Sequence, residues 1–270
     1  MADRARGTIE EILRYPMKAF SPQKLGRVSL EPEKTIAFDR AYAIENGPGR
    51  FDPDVPRHLP KVSFLTLMRD ERLATLETKF DDATEMLTIL RGGKQVARGQ
   101  LSTKLGRSMI EQFIAAYLNA ELRGAPRIVS ATGHSFSDVA AKCVHVINLA
   151  SLRDLERAAG RKIDPIRFRP NIIVAGIPAW SEFEWVGTEF GLGSARVQGF
   201  DRTQRCAATN VDPGTGARDM GIPAILQRPW GHADFGIYAT VVAAGEAGFR
   251  PGRISILVVT HHRRRDRDQW

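Results

Sequence analysis

The residues best suited to chemistry are concentrated in one segment, DRTQRCAATNVDPGTGARD, which spans residues 201–219. Cys206 in this segment is one of two cysteines in the chain, and Arg205 directly precedes it. Positive charge beside a cysteine favours the thiolate, which attacks electrophiles or binds soft metal ions. The turn-rich sequence that follows indicates that the thiol lies at the end of a strand rather than within the core. We therefore interpret Cys206 as a nucleophile or a metal ligand, with a thiol that only packs as the alternative.

The neighbours of Cys206 in the sequence do not decide between these roles. A nucleophilic cysteine needs a base, normally histidine, and none of the six histidines forms a recognisable local motif with Cys206. A structural zinc site needs several Cys or His ligands at short spacing, which one cysteine cannot supply. A thiolate could instead complete the coordination of a transition metal whose other ligands come from a cofactor. The second cysteine, Cys143, has apolar neighbours and is predicted to pack in the core.

The segment RFRPNIIVAG, residues 167–176, combines basic and amide side chains ahead of an apolar strand. Arg169 and Asn171 would share one face of an extended chain. That face could present a guanidinium to phosphate and an amide to the edge of a heterocycle. The alternative is a surface turn with solvated arginines.

Three other segments carry polar residues that are unremarkable when each is taken alone. Lys18 follows a strand break in RYPMKAFSP, and Arg40 lies in FDRAY. The stretch GHSFSDVA, residues 133–140, offers two serines and Asp138 in a loop, for which an ordinary capped turn is the alternative. These residues gain meaning only if the fold brings them together.

The composition is that of an ordinary globular chain with a basic surplus. Hydrophobic residues make up 43% and charged residues 26% of 270 residues, the formal net charge is +8, and the sequence pI is about 9.8. Such a surplus of positive charge favours binding of nucleic acid, anionic lipid or a phosphorylated small molecule. Nucleic acid is disfavoured because the chain has no recognisable binding motif with interleaved aromatic residues. No window approaches the roughly 18 apolar residues of a membrane-spanning helix, so no membrane partner is predicted either.

The cysteine count and the N-terminal sequence predict the cellular compartment of the protein. Two distant cysteines cannot form a disulfide framework, and MADRARGTIEEILRYP lacks the apolar run of a secretory signal. The expected location is the cytoplasm. The final stretch HHRRRDRDQW, residues 261–270, is interpreted as a basic disordered tail.

Strand-like and helical patterns follow one another along the chain. Short β-like runs fill the N-terminal part, among them SFLTLM at residues 63–68. Helical spacing of apolar residues appears at residues 105–122. A second helix is predicted in NLASLRDLERAAGRKI, with Ser151 as its N-cap and Gly160 as its end. Strands then resume between glycine-rich turns, up to RISILVVTH at residues 253–261.

These patterns predict a mixed β fold with some α structure. We expect a boundary around residues 95–105, where strand-rich sequence gives way to the first helix. The chain then divides into an N-terminal β domain at 1–100, a β-barrel-like domain with flanking helices at 101–260, and the tail.

Taken in order, the segments resemble the MOSC superfamily, in the two-domain form of the mitochondrial amidoxime reducing component and its bacterial relatives. The resemblance rests on YPMK, FDRAY, FSD, INLASLRDL, RFRPNIIVAG, RCAATNVDPGTGARD and FGIYATVVAAG, which span nearly the whole chain. It implies a MOSC N-terminal β-barrel domain followed by a β-barrel MOSC domain with flanking helices.

The resemblance also implies a molybdenum cofactor, in which a pyranopterin dithiolene holds the metal and basic side chains grip the phosphate. Cys206 would be the molybdenum ligand at the catalytic centre. Asp212 would lie near the oxo and water positions of the metal. The residues implied to hold the pterin and its phosphate are Lys18, Arg40, Ser151, Arg169, Asn171 and Arg205.

The activity implied by the resemblance is reduction of N-hydroxylated, N-oxide or S-oxide small molecules by oxygen-atom removal, with molybdenum cycling between Mo(VI) and Mo(IV). A basic protein that clamps an anionic cofactor is consistent with the charge surplus. Two cysteines are too few for a Cys-ligated iron–sulfur cluster, so we expect a separate electron-donor protein. The alternative is a carrier of the cofactor or of persulfide sulfur without reductase turnover, because MOSC domains also occur fused to pyridoxal-phosphate-dependent sulfurases.

Overall fold

The computed structural model describes residues 6–47 and 49–248, together with the backbone of residues 259–260. Within these ranges the fold is mostly β with three α-helices, which confirms the predicted mixed β class. The predicted tail at 261–270 and most of the predicted strand RISILVVTH lie outside the described residues.

The strands of the described part are β1 (Thr8–Arg14), β2 (Gln23–Leu25), β3 (Arg27–Leu30), β4 (Ala43–Glu45), β5 (Glu77–Asp81), β6 (Met86–Arg91), β7 (Lys94–Gln100), β8 (Arg127–Val129), β9 (Val144–Asn148), β10 (Ile172–Ala175), β11 (Glu189–Leu192), β12 (Ala195–Gln204), β13 (Asp234–Ala243), β14 (Gly245–Gly248) and β15 (Val259–Thr260). The α-helices are α1 (Lys104–Leu118), α2 (Leu149–Ala159) and α3 (Ile222–Trp230). None of the helices in the described ranges is both long and apolar enough to cross a lipid bilayer.

An eight-stranded sheet in the order β15-β11-β12-β13-β9-β10-β1-β2 forms the centre of the fold. Its pairs are antiparallel except for β9 and β10, which run parallel and are connected through α2. Every residue of β9 is buried. Successive residues of a strand point to opposite faces, so Val146 packs in one hydrophobic cluster and Ile147 in another. The sheet is therefore covered on both sides where β9 crosses it.

Strand β1 comes from the N-terminal end of the chain but belongs to this central sheet. It pairs antiparallel with β10, and Ile12 lies opposite Ile172. Strand β3 likewise pairs with β14. Strands from both predicted domains thus share sheets, and the predicted boundary around 95–105 falls on β7 and the start of α1. The domain division stays a prediction.

A separate three-stranded sheet of β5, β6 and β7 packs against α1. Ile110, Ile114 and Leu118 are buried on one face of α1, as the helical spacing predicts. The contact between helix and strand is close, because a Cβ on Gly99 would lie 2.1 Å from the carbonyl oxygen of Gly106. Any larger residue at Gly99 would push the helix away from the sheet.

Two local predictions are wrong. The N-cap of α2 is Asn148, whose side chain accepts a hydrogen bond from the helix backbone at 2.9 Å, and Ser151 lies inside the first turn. The helix does end at Gly160, with φ of 68°. The segment SFLTLM is not a continuous strand, because only Phe64 forms a bridge, with Glu45, before a turn begins. In that turn the Thr66 N–H donates to the Asp70 carboxylate at 2.8 Å, and the Asp70 N–H donates back to the Thr66 carbonyl at 2.7 Å.

Candidate cofactor-binding site

A cavity of about 300 Å³ brings together segments that are far apart in the sequence. Its lining includes Lys18, Asp39, Arg40, Asp138, Cys143, His145, residues 167–169, Asn171, residues 201–206 and Tyr238. Most of the predicted site residues therefore surround a single space.

Cys206 lies two residues beyond the end of β12, as the sequence predicts. The 3-10 helix Ala207–Asn210 begins directly after it. The Cys206 carbonyl accepts hydrogen bonds from the Thr209 N–H at 3.0 Å and from the Thr209 hydroxyl at 2.9 Å. The thiol is free and half-buried, and it lies at the cavity wall. The turn thus fixes the backbone while leaving the sulfur free to bind a ligand.

Arg205 lies in the same wall and is held by the neighbouring segment. Its Nη2 donates to the Phe168 carbonyl at 2.7 Å, and its Nη1 lies 3.4 Å from Nε2 of His145. Its Nε has no hydrogen-bond partner among the residues that the structure describes. Burial lowers the pKa of Arg205. A half-buried, incompletely paired guanidinium of this kind is suited to an incoming anion.

His145 is a buried member of β9 beside this arginine. Burial, and then the charge of Arg205, keep the pKa of His145 well below 6.5, so the imidazole is neutral near pH 7. The space for the ring depends on Gly236, which has φ of +77°. A Cβ there would lie 2.7 Å from Nε2 of His145 and 2.6 Å from the Val146 carbonyl oxygen.

Arg40 and Arg169 both lie against the ring of buried Tyr15, with their guanidinium carbons 4.7 and 4.1 Å from its centroid. Arg40 pairs with Asp39 and donates from Nη2 to the Arg169 carbonyl at 3.0 Å. Arg169 donates from Nη1 to the Phe20 carbonyl at 2.8 Å, but its Nη2 finds no partner within the described ranges. Burial lowers the pKa of Arg169 to about 10.

The backbone around Arg169 and Asn171 differs from the extended chain that the sequence predicts. Arg169 ends the 3-10 helix Pro165–Phe168 in the left-handed region, with φ of 53°. Both side chains nevertheless line the cavity. The Asn171 amide donates from Nδ2 to the Leu13 carbonyl at 3.1 Å and accepts at Oδ1 from the His145 N–H at 3.1 Å. It therefore connects β1 with β9 at the cavity wall.

Lys18 forms an ion pair with Asp138 in the cavity. Its Nζ lies 2.5 Å from Oδ1 of Asp138 and donates to the Phe136 carbonyl at 2.7 Å. Burial lowers the pKa of Lys18. Burial alone would raise the pKa of Asp138, but the charge of Lys18 and its hydrogen bond outweigh this effect and lower the pKa to about 2. Asp138 is therefore ionised throughout the neutral range.

Two predicted site residues, Ser151 and Asp212, are absent from the lining of this cavity. Ser151 is fully buried and donates its hydroxyl to the Glu182 carboxylate at 2.7 Å. Asp212 accepts from the Thr215 N–H at 2.8 Å and pairs with Arg167, 2.9 Å away. Arg167 itself lines the cavity, so Asp212 contacts the site through that arginine.

Sequence reasoning missed several members of the site. Cys143 is buried as predicted, but it also lines the cavity, and burial raises its pKa to about 12. His145 could have been found, because a polar residue within the apolar run CVHVIN needs a partner inside the protein. Arg167 begins the segment RFRPNIIVAG, but the extended-chain argument selected only Arg169 and Asn171. Nothing in the local sequence marks Tyr238.

The electrostatics of the cavity favour an anionic ligand. Seven cationic side chains line it against three carboxylates, and three of the arginines, Arg167, Arg169 and Arg205, keep an unpaired N–H among the described residues. Guanidinium groups suit the geometry of phosphate oxygens. The thiol of Cys206 adds a soft donor at the same wall. The arrangement can bind a phosphorylated molecule and place a metal or an electrophile beside sulfur.

Two known family models match successive parts of the chain. A model described as the MOSC N-terminal beta barrel domain matches residues 6–121, and one described as the MOSC domain matches residues 131–255. Together they extend over all the described strands except β8 and β15, and over the segment that contains Cys206.

Curated relatives are similar to parts of this chain. Mitochondrial amidoxime reducing component 2 of Rattus norvegicus is 38% identical over 80 residues, which cover 30% of this chain and 23% of the rat protein. Its Homo sapiens counterpart is 34% identical over 108 residues, which cover 36% of this chain and 32% of the human protein. The chain thus spans less than a third of the length of either relative. Among solved structures, the YUAD protein from Bacillus subtilis covers 96% of this chain and 97% of its own at 11% identity, with a TM-score of 0.43.

Proposed function

The chain belongs to the family in which a MOSC N-terminal β-barrel domain precedes a MOSC domain, and we propose that it is a molybdenum-cofactor-dependent reductase of N-oxygenated or S-oxide small molecules. One observation carries the proposal: a free, half-buried thiol shares a cavity with seven cationic side chains from several segments of the chain. The similarity to amidoxime reducing components supports the same class of reaction.

The side chains in the cavity fit a molybdenum cofactor. The Cys206 thiolate is a suitable ligand for a soft transition metal. The unpaired Nη2 of Arg169 and Nε of Arg205 are buried donors that a phosphate group would satisfy. Arg40, oriented by Asp39 and Tyr15, would add a further guanidinium. The cofactor, when bound, would supply the two-electron redox chemistry.

The remaining predicted residues take more indirect parts in this proposal. The Lys18 ammonium group, which pairs with Asp138, would pair with the cofactor phosphate instead. Asn171 would hold the strands behind Arg40 and Arg169, because its amide is already bonded to the backbone. Ser151 and Asp212 remain predictions as cofactor contacts, since neither lines the cavity.

The overall reaction breaks the N–O or S–O bond of the substrate. Two electrons and two protons are consumed, and the oxygen leaves as water. With an N-oxide or S-oxide both protons go to oxygen, whereas with an N-hydroxylated substrate one goes to oxygen and one to nitrogen. The chain's two cysteines are too few for a Cys-ligated iron–sulfur cluster, so in this proposal the electrons come from a separate donor protein. The protein's own part is to hold the cofactor, orient it through Cys206 and admit the substrate.

The proposal is tested by producing the protein in a host that makes the cofactor. Molybdenum is measured by elemental analysis, the released pterin by mass spectrometry, and benzamidoxime reduction with a chemical electron donor. We expect bound cofactor and turnover in the wild type and in Cys206→Ala a folded protein without turnover. Cys143→Ala is the matched control, because this second cavity cysteine should be dispensable.

Two results would contradict the proposal. Absence of molybdenum under every loading condition would exclude the cofactor, and full activity of Cys206→Ala would exclude the ligand. Bound cofactor without turnover of any oxygenated substrate, together with a persulfide detected by mass spectrometry, would favour the carrier alternative.

A further inference from the structure

A second cleft, of about 410 Å³, lies between the N-terminal three-stranded sheet and the segment that carries Cys206. Its walls are largely apolar and include Phe20, Pro22, Leu67, Leu76, Leu90 and Ile166. Phe20 and Leu76 are almost completely buried, so these walls are fixed by the core. Small-molecule sites are typically preformed, mostly apolar clefts of about 300–1,000 Å³ with a few polar groups. The cleft has the size and character of such a site.

The cleft adjoins the cofactor-binding cavity. Arg167, Arg169 and Ala208 line both spaces, and Ala208 follows Cys206 by two residues. A molecule in the cleft would therefore have one end beside the segment that carries the thiol. The other end would lie towards the turn at Gly92 and Gly93, where an added Cβ would meet no atom within 4 Å.

The charges along the cleft distinguish it from the anion-binding cavity. Glu77 and Asp164, both exposed, line the cleft and disfavour an anion there. Arg167 is already paired with Asp212 and Asp219. Among the described cations of the cleft, Arg167 and Arg169 each keep one unpaired N–H, and both lie at the junction with the cavity. The cleft thus favours an uncharged, apolar body whose polar end points to the junction.

We infer that this cleft holds the aryl or alkyl body of the substrate while its N–O group reaches towards Cys206. The inference rests on the proposed reductase function and specifies the substrate class: uncharged N-oxygenated compounds with an apolar body about the size of a phenyl ring. A compound with only a methyl group in place of that body would leave the cleft empty.

Ala74→Phe tests this assignment, because Ala74 lines the cleft but not the cavity. With benzamidoxime, we expect KM to rise about tenfold or more, since a filled pocket rejects the larger body. With acetamidoxime, we expect kcat and KM to stay within about twofold of wild type. Val96→Phe is the control, because Val96 is an exposed residue of β7 outside the cleft. Equal effects on both substrates, or no effect on either, would overturn the assignment.

A second variant and a binding measurement keep the test independent of folding and turnover. Leu90→Asn keeps a side chain of similar shape but makes the cleft wall polar. It should also weaken the binding of benzamidoxime more than that of acetamidoxime. Saturation-transfer NMR on cofactor-free protein should detect benzamidoxime binding in the wild type and its loss in Ala74→Phe. If this binding is found but neither oxime is reduced, the cleft assignment stands and the reductase function fails. If both oximes are reduced and Ala74→Phe changes neither binding nor KM, the reductase function stands and the cleft assignment fails.

Discussion

Lys18 and Asp138 form an ion pair inside the cavity although 120 residues separate them in the sequence, with Nζ 2.5 Å from Oδ1. The lysine side chain is 9% exposed, whereas the aspartate side chain is 49% exposed. The Asp138 carboxylate thus binds the same ammonium group that we propose to hold the phosphate of the cofactor. The two anions would compete for Lys18.

Asp138→Asn should strengthen binding of inorganic phosphate to the cofactor-free protein. Removing the competing charge releases a charge-assisted hydrogen bond worth about 1.5 kcal/mol, which corresponds to about tenfold in affinity. Isothermal titration calorimetry measures the change. The matched control is Asp82→Asn, because Asp82 is 50% exposed and pairs with buried Arg14 away from the cavity. Equal or weaker phosphate binding by Asp138→Asn would show that Lys18 does not hold the anion.

The two cysteines should differ sharply in reactivity towards iodoacetamide at pH 8. Burial raises the pKa of Cys143 to about 12, so almost none of it is thiolate at this pH. Cys206 is half-buried and lies at the cavity wall. Peptide mass spectrometry of briefly treated, cofactor-free protein should find the label on Cys206 alone. Labelling of both residues at similar rates would contradict this assignment.

Arg167 should hold the Cys206 segment in place. Its Nη1 donates to the Asn210 carbonyl at 3.2 Å, and its Nη2 pairs with Asp212 at 2.9 Å and with Asp219 at 2.8 Å. Arg167→Met leaves Asp212 without its cationic partner and Asp219 with Arg161 alone. It should lower the free energy of unfolding by about 2–3 kcal/mol. Chemical denaturation measures this loss.

The control for Arg167 is Arg161→Met. Arg161 also pairs with Asp219, but its side chain is 53% exposed, so its loss should cost about 1 kcal/mol or less. A positioning role further requires that alkylation of Cys206 changes rate in Arg167→Met and not in Arg161→Met. Similar effects of the two variants would assign Arg167 no special role.

His145 should make the protein less stable as the pH is lowered below 6.5. Because the folded pKa lies well below this value, the unfolded chain binds a proton that the folded chain does not. The free energy of unfolding then falls with decreasing pH, by up to about 1.4 kcal/mol per pH unit until the folded pKa is reached. His145→Asn removes this contribution, so its denaturation curves should be less sensitive to acid. Parallel pH dependence in the two proteins would exclude a depressed pKa.

Gly236→Ala should cost more stability than Gly93→Ala, although both glycines have a positive φ, of 77° and 75°. At Gly93 an added Cβ meets no atom within 4 Å, so only the backbone strain of about 1–2 kcal/mol applies. At Gly236 the Cβ would also collide with the Val146 carbonyl oxygen and with His145, which should add about 2 kcal/mol. Thermal or chemical denaturation of both variants measures the difference. Equal losses would show that the packing around His145 is looser than described.

Local sequence predicts local structure in this protein better than it predicts the site. The apolar face of α1 and the end of α2 at Gly160 follow directly from spacing and from glycine. The start of α2 is ambiguous because both Asn148 and Ser151 can cap a helix, and Glu182, a distant residue, binds the serine hydroxyl. No local pattern reports such a competitor.

The grouping of site residues depends on contacts that span most of the chain. Lys18, Arg169 and Cys206 could be associated only through resemblance to a family, because their individual segments carry weak signals. Arg169 reaches the cavity from a left-handed backbone rather than from the expected extended one. Tyr238 becomes part of the site only because β13 lies beside β9 in the sheet.

The pairing of β1 with β10 has a consequence for synthesis on the ribosome. The first strand emerges early, yet its partner Ile172–Ala175 is made only after more than half of the chain. Until then Ile9 and Ile12 lack most of the residues of their hydrophobic cluster, which lie at positions 144 to 247. The nascent polypeptide must therefore keep an apolar edge unpaired for most of its translation, and no early fragment can assemble the cavity.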